Sequence, residues 1–505
     1  MRFYIEKLGC PKNDTDAEGI SQLLVEAGYT PAVDADEADV IIVNTCGFID
    51  RAKDESLKCL RRYAKRKRHW RSRGPALWRR VREVSENRWP GGTTVLSGTA
   101  ASSSTDTPRP ILIAAGCLSE RYGEDLSRSL PEIDGFVGTQ RWEEIPAVLN
   151  DILHGRRPCY LGKGYAIASV PRTARSPSAY VKIADGCSVG CAFCAIPRIK
   201  GPHRSKPPSA VVAEVRHLAS AGVKEIILIA QNTAAYGHDW GEKDGLAILL
   251  EKIVESVPQI PWIRIMYAYP EHITDRLVKT IAGHHQIVKY LDVPLQHAHP
   301  DVLRQMKRPV DNARPLIARL RESIPGVSLR SAFIVGYPGE DEEKFQSLLS
   351  FLRDVELDRV GIFTYSAEEG TLAASLPNQV SPRIKLDRER RAMTALREIS
   401  ARKSQALLGS ILDVLVEGTA EHGEVVDDHN HASPAPGRRQ VSSQGVKARP
   451  DTLTFLSVGR SYRDAPEVDG LVFLKERVPV GSLVRARVIG ASEYDLFAEI
   501  AKGDC

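Results

Sequence analysis

From residue 180 onward the chain repeats one rhythm six times, and that repetition limits the available folds more than anything else in the sequence. The short apolar runs YVKIA, EIILIA, WIRIMY, KYLDV, RSAFIV and RVGIFTY alternate with helical stretches at 209–220, 245–256, 273–282 and 340–353. Runs rich in Ile and Val with little polar alternation suit strands covered on both faces, as in a parallel sheet. Six consecutive βα units therefore predict a parallel barrel, complete or three-quarters closed, over about residues 173–402. Barrels of this kind carry their chemistry at the C-terminal ends of the strands, so the residues just after each run matter most.

Ahead of this region, residues 2–8, 39–44 and 110–115 (RFYIEKL, DVIIVN, PILIAA) read as three more buried strands, each followed within three residues by a cysteine. After the first, Asn13 or Asp14 can cap a helix with Ile20, Leu23, Leu24 and Ala27 on one face, ended by Gly28. The expectation is an open parallel α/β domain over residues 1–155. Beyond the barrel, LVFL, SLVRARVIGA and DLFAEI are strands joined by turns such as Pro479 to Gly481, which predicts a small β-barrel over 405–503. Two stretches, about 61–109 and 420–455, are rich in Ser, Pro, Gly or Arg without periodicity and are expected to be mobile insertions.

A chain of 505 residues has room for several such domains. No apolar run reaches the roughly 18 residues of a spanning helix, and the N-terminus lacks a secretory signal, so the expectation is a cytoplasmic protein with no membrane association. The net charge of +5 is local: residues 61–80 hold ten Lys or Arg and no acid, and removing them takes the net charge from +5 to −5. From Arg460 to the end there are seven basic and eight acidic residues, which argues weakly against an RNA-binding face there.

Nine cysteines in a reducing compartment argue for ligands or reactive thiols. Cys187, Cys191 and Cys194 form C-x3-C-x2-C directly after the first barrel strand, with Gly186 and Gly190 letting the backbone wrap. Three such thiolates can hold three corners of a cubane iron-sulfur cluster and leave one iron open; the alternatives are a zinc site or three core cysteines. Cys10, Cys46 and Cys117 each end a predicted strand of the first domain, and parallel strands put those ends on one edge, where the thiols can converge on a second cluster. Buried cysteine without function is the competing reading. Cys59, Cys159 and Cys505 look incidental.

The cysteine motif, with Phe193 before its third cysteine and a barrel following, resembles the radical S-adenosylmethionine (SAM) superfamily. The words KLGCPKNDTDAE, ADVIIVNTCGFIDRAKDES and AAGCLSERY in front of it are similar to the methylthiotransferase family, whose members join an N-terminal auxiliary-cluster domain, a radical SAM barrel and a C-terminal TRAM domain. GCPKN at Gly9 to Asn13, PLQHAHP at Pro294 to Pro300 and YSAEEGT at Tyr365 to Thr371 resemble its RimO branch. That resemblance implies transfer of a methylthio group to the β-carbon of an aspartate in small-subunit ribosomal protein twelve, free or in the ribosomal subunit. It implies SAM and two 4Fe-4S clusters as cofactors, one on Cys187, Cys191 and Cys194 and one on Cys10, Cys46 and Cys117. The same carry-over places Phe193 near the adenine, Gln231 and Asn232 at the methionine end, and Gly336 and Gly339 at the nucleoside, although the Gly-rich turn by itself reads equally as an ordinary βα loop.

Further expectations are a reductant such as flavodoxin or ferredoxin, and a monomer. A tRNA adenosine methylthiotransferase of the MiaB type and a non-catalytic two-cluster protein are the competing readings. His297 and Glu368 either orient the substrate or are satisfied structural groups. Trp70, Trp78 and Trp89 among the arginines could form an RNA or membrane-surface helix, against a solvated insertion. His422, His429 and His431 beside Asp427 and Asp428 could bind a metal, against a disordered loop.

Overall fold

The first apolar run becomes strand β1 (Arg2–Lys7) and leads through Gly9 and Cys10 into helix α1 (Pro11–Glu26). The helix begins earlier than its pattern predicts: its cap is Cys10, and Asn13 and Asp14 already lie inside it. Pro11 at the first helical position has no N–H to satisfy and a φ already set for a helix, which fixes the start there. The Asn13 amide is instead spent across the sheet edge, as described below.

This computed structural model describes residues 1–69, 110–164, 172, 176–310, 313–421, 424–426 and 455–501. The chain divides into two units, Met1–Tyr165 and Ala166–Cys505. The expectations placed on Trp70, Trp78 and Trp89, on 70–109, on His422, Asp427, Asp428, His429 and His431, and on Cys505 lie outside the described residues. Among the described residues no helix is long and apolar enough to cross a membrane.

In the first unit six strands form one sheet, in which β2 (Thr30–Pro31), β1, β3 (Val40–Thr45), β4 (Ile111–Gly116), β5 (Gly135–Val137) and β6 (Cys159–Tyr160) are successive parallel neighbours. Every residue of β3 and β4 is buried, as a doubly covered sheet requires. Helix α2 (Asp50–His69) packs Cys59, Leu60, Tyr63 and Ala64 into the core. It carries regular structure eight residues past the expected start of the irregular stretch at 61, so that boundary is corrected to beyond His69. The Tyr63 hydroxyl donates to Glu6 at 2.5 Å, and the Lys67 ammonium donates to the Glu132 carbonyl at 2.7 Å and to Asp134. Arg66 and Arg68 pair with Asp36 and Glu132, so part of the basic run is neutralised within the unit. Helix α3 (Cys117–Ser129) follows β4 directly, and α4 (Ile145–Leu153) follows β5.

In the second unit β7 (Ser178–Lys182), β10 (Glu225–Ile229), β11 (Trp262–Ile265), β12 (Ile287–Asp292), β13 (Ser328–Val335) and β14 (Arg359–Thr364) pair in sequence order, all parallel, as an open six-stranded partial barrel. A short hairpin of β8 (Ala184–Asp185) and β9 (Arg204–Ser205) frames the cysteine loop, which includes one turn of helix, α5 (Ile196–Ile199). The outer layer is α6 (Pro208–Ser220), α7 (Gly245–Ser256), α8 (Asp275–Gly283), α9 (Pro300–Gln305), α10 (Ala313–Ser323), α11 (Glu342–Val355) and α12 (Pro382–Gln405). Apart from α9, whose Val302 joins a separate apolar cluster, their apolar faces share one large core with the strands.

A five-stranded closed barrel ends the chain: β15 (Ile411–Glu421) pairs with β17 (Ser457–Ser461), then β18 (Val472–Leu474), β20 (Leu496–Ile500) and β19 (Leu483–Ala491), which returns to β15. The short β16 (Glu424–Val426) extends β15 as a hairpin, so the start of the second irregular stretch is also strand. Closure leaves the five strands without a free edge.

Candidate functional site

The loop that carries Cys187, Cys191 and Cys194 leaves the sheet at Asp185, whose buried carboxylate accepts the Gly186 N–H at 3.1 Å and faces Lys200 at 3.2 Å and Lys182 at 3.6 Å. Burial alone would raise its pKa, but the two lysines outweigh that and hold the carboxyl well below the usual range. Gly186 has φ +76°, and a Cβ there would stand 2.1 Å from the Pro202 carbonyl oxygen, so only glycine lets the loop close. The loop is clamped from both sides by the Ala192 N–H donating to Met306 O at 3.0 Å and by its carbonyl accepting from Ala373 N at 2.9 Å.

Each thiol on this loop meets a donor. Burial raises the Cys187 thiol and pushes Cys194 up to about 12, and the backbone N–H groups of Val189 and Ile196 pull in the opposite direction. Arg308 points one Nη at the Cys191 sulfur, 3.8 Å away. Cys187 and Cys194, which resist ionisation yet are supplied with donors suited to a thiolate, fit a group whose metal ions provide the missing positive charge. Among the described residues no three His, Cys, Asp or Glu side chains converge as they would round a single ion.

Gln231 stands just beyond β10, the strand beside β7, and both its amide oxygen and its amide nitrogen are buried without a partner. A buried amide left unpaired costs about 1–3 kcal/mol, so a ligand is the natural claimant of both atoms. Asn232 is placed differently: its Nδ2 lies 2.8 Å from His272 Nδ1 and its Oδ1 accepts the Tyr269 N–H at 3.3 Å. It braces the loop after β11. Phe193 packs against Val302, Met306, Tyr337, Tyr365 and Ala373, an apolar wall at the same end of the barrel.

At the turn after β13, Gly336 gives its N–H to Glu340 at 2.7 Å, and a Cβ there would meet Lys385 Cγ at 2.3 Å. Gly336 thus serves the packing of α12, and its N–H is already committed; Gly339 lies beside Gln305 in the same turn. His297 is fully buried, with its Nδ1 accepting the His299 N–H at 2.9 Å and its Nε2 3.8 Å from Glu340. Glu368 accepts from Ser366 at 2.7 Å, and its carbonyl accepts from Thr371. Glu368 is thus held by hydrogen bonds of its own loop, whereas His297 Nε2 is buried without a hydrogen-bond partner. Arg308 and Glu340 escaped the sequence reading, since an arginine in MKRP and a glutamate after a Gly-rich turn carry no local signal of a buried role.

In the first unit the register of β1, β3 and β4 brings the second set together. Thr45 pairs with Gly116, so Cys46 follows beside Cys117, and Leu8 N–H donates to Asn44 O at 3.0 Å, so Cys10 follows on the other side. A Cβ on Gly9, at φ +103°, would stand 2.8 Å from Cys46 Cβ and 3.2 Å from its sulfur. The strand order reverses between β1 and β3, the crevice where open α/β sheets bind ligands. Asn13 donates to Leu8 O at 2.7 Å and Thr45 O at 3.1 Å, and Asn44 donates to Asn13 O at 2.7 Å, so two buried amides tie the ends of β1 and β3 to the start of α1. Cys10 caps α1 and Cys117 opens α3, so two positive helix ends face the same edge and favour an anionic group. Cys59 is a core residue and Cys159 is exposed.

Three family models match the chain: the uncharacterized protein family UPF0004 over residues 2–73, the radical SAM superfamily over 181–352 and the TRAM domain over 451–501. Curated relatives align from end to end. The ribosomal protein uS12 methylthiotransferase RimO of Roseiflexus sp. (strain RS-1) is 39% identical over 530 residues, covering 99% of this chain and 98% of that one. The proteins of the same name from Chloroflexus aurantiacus and Herpetosiphon aurantiacus are 40% and 38% identical, each over 99% of this chain and 99% and 100% of their own.

Proposed function

Because this chain belongs to the family of ribosomal protein uS12 methylthiotransferases, we propose that it is a radical SAM enzyme that adds a methylthio group to the β-carbon of an aspartate in small-subunit ribosomal protein twelve. The observation that carries the reading is the cysteine loop at the barrel mouth, with a donor facing each thiol, beside an unpaired buried glutamine. A 4Fe-4S cluster held there supplies, when bound, the one-electron cleavage of SAM that opens a C–H bond no side-chain base could deprotonate.

The chain's own residues do the rest. Cys187, Cys191 and Cys194 are the ligands, and the Val189 and Ile196 N–H groups and Arg308 stabilise their sulfurs. Gln231 offers one donor and one acceptor to the methionine end of SAM, and Asn232 fixes the adjoining loop. Phe193, Tyr337 and Tyr365 exclude water from the nucleoside side. Cys10, Cys46 and Cys117 would hold a second 4Fe-4S cluster, which would supply the sulfur for transfer. The substrate is the ribosomal protein, free or assembled; the electron donor is of the flavodoxin or ferredoxin class, and the enzyme works as a monomer.

Anaerobically reconstituted protein should contain about eight irons, and changing Cys187, Cys191 and Cys194 to Ala should leave about four and abolish deoxyadenosine formation. Changing Cys10, Cys46 and Cys117 to Ala should leave about four irons and keep deoxyadenosine formation while methylthio product, read by mass spectrometry of the ribosomal protein, disappears. Full iron content in the first triple variant, or methylthiolated adenosine in tRNA in place of modified protein, would overturn the assignment.

A further inference from the structure

Helix α9 ends in a reversal that turns one arginine inward. The Arg308 N–H donates to Leu303 O at 2.8 Å and the Lys307 N–H to Arg304 O at 3.0 Å, with Lys307 in the left-handed region at φ 54°. This pair of bonds around a left-handed residue is the Schellman arrangement, and it buries Arg308 to 7% exposure. The guanidinium stacks over Tyr269 at 4.2 Å, gives one Nη to the Pro294 carbonyl and aims the other at Cys191 Sγ, 3.8 Å away. Among the described residues no carboxylate pairs with it. The same turn supplies the Met306 carbonyl that holds Ala192, so arginine and thiol loop are fixed to each other. Its charge also reaches Cys187 and Cys194.

We propose that Arg308 is a positioning residue that sets the reduction potential of the radical centre by holding a permanent positive charge against the Cys191 sulfur. The proposal rests on the reading of Cys187, Cys191 and Cys194 as cluster ligands. Reduction adds one electron and no proton to that centre, so its negative charge grows by one, and a fixed cation in contact with a ligand sulfur favours the reduced form. The electron comes from a low-potential one-electron donor. Arginine keeps its protons throughout, since it does not deprotonate in proteins. Tyr269 and Pro294 prevent the side chain from swinging to solvent and so make the charge permanent.

The test is a redox titration with titanium(III) citrate, followed by electron paramagnetic resonance, on the full chain carrying Cys10, Cys46 and Cys117 as Ala so that the barrel centre alone is read. Arg308→Gln should keep about four irons while the ratio of reduced to oxidised centre at a fixed poise falls at least tenfold, a shift of 59 mV or more toward negative values for one electron. Arg308→Lys, which keeps the charge, should stay close to the parent. An Arg308→Gln protein with full iron and an unchanged midpoint overturns the proposal and leaves the ligand assignment standing. Absence of iron from the parent overturns both. If Arg308→Gln loses its iron, Arg308→Lys decides: an unchanged midpoint and full iron support the charge, and loss of iron there too makes Arg308 a builder of the loop and refutes the tuning role.

Discussion

Glu340 shows what one residue contributes at the edge of the site. Its carboxylate accepts the N–H groups of Gly336 and Tyr337 and faces Arg388 at 3.2 Å and His297 at 3.8 Å, with no exposure to water. Burial is the largest influence and pushes its pKa up to about 7 against the pull of Arg388 and the two N–H groups. Burial also lowers His297 to about 3, so that ring is neutral at physiological pH. A carboxyl raised in the folded state binds more protons there than in the unfolded chain. Its stabilisation is therefore complete at low pH and lost as pH rises from about 4.5 through about 7. Glu340→Gln keeps an acceptor for the two N–H groups and removes the titration. The variant should gain roughly 2 kcal/mol relative to the parent between pH 5 and pH 8. Denaturant unfolding at both pH values checks this, and parallel pH slopes for parent and variant would contradict it.

At the scale of elements, α2 hides a helix inside the basic run. Leu60, Tyr63, Ala64 and Lys67 fall at i, i+3, i+4 and i+7 and face the sheet, but one of the four is a lysine and the exposed positions are almost all Arg or Lys. The apolar stripe is therefore too thin to stand out in sequence, while in the fold the Lys67 stem is covered and its ammonium meets Glu132 and Asp134. A deletion should respect that helix. Replacing residues 70–107 with a short Gly-Ser linker should leave the first unit stable, because the length of a connection changes closure entropy little. Extending the deletion back to residue 63 removes Tyr63, Ala64 and Lys67 and should cost at least about 3 kcal/mol, as loss of a buried aromatic and its hydrogen bond does. Equal denaturation midpoints for the two deletions would show that the end of α2 contributes nothing.

At the scale of the second unit, the small β-barrel grips the strand starts of the partial barrel, the end opposite the cysteine loop. Arg460 is buried and donates to Glu225 at 2.6 Å, Glu417 at 2.5 Å, Ser178 at 3.1 Å and the Asp464 carbonyl at 2.7 Å. Glu225 also accepts from Arg264 at 2.7 Å, and Arg264 reaches the Tyr462 carbonyl at 2.8 Å. Ile227, Ile229, Met266 and Tyr290 on the barrel strands pack with Leu415 and Ala465 in the same contact. Arg460 and Arg463 are therefore consumed inside the molecule, which gives the weak RNA argument from charge a structural cause. Arg460→Met should destabilise the unit by about 3–5 kcal/mol, because the buried Glu225 loses one of its two arginines and the part-buried Glu417 loses its counter-charge. Adding Glu417→Met should recover part of that loss, while Glu225 stays paired with Arg264. A single variant as stable as the parent would show that the network carries no weight.

Local order in the chain was enough for the parallel βα units, the strand ends that carry six cysteines and the closed C-terminal barrel, because a strand or helix writes its period into neighbouring residues. It was enough to bring Cys10, Cys46 and Cys117 to one sheet edge, since parallel strands share a polarity. It could not tell that Gln231 is left unpaired while Asn232 is used up on His272, because adjacent residues of similar chemistry differ only in what surrounds them. Nor could it choose Arg308 for Cys191, 117 residues away, or Arg460 for Glu225, 235 residues away, from among 69 basic residues. Those pairings depend on burial: a charge costs little in water wherever it stands, and only the folded chain decides which few are taken out of water and must therefore find a partner.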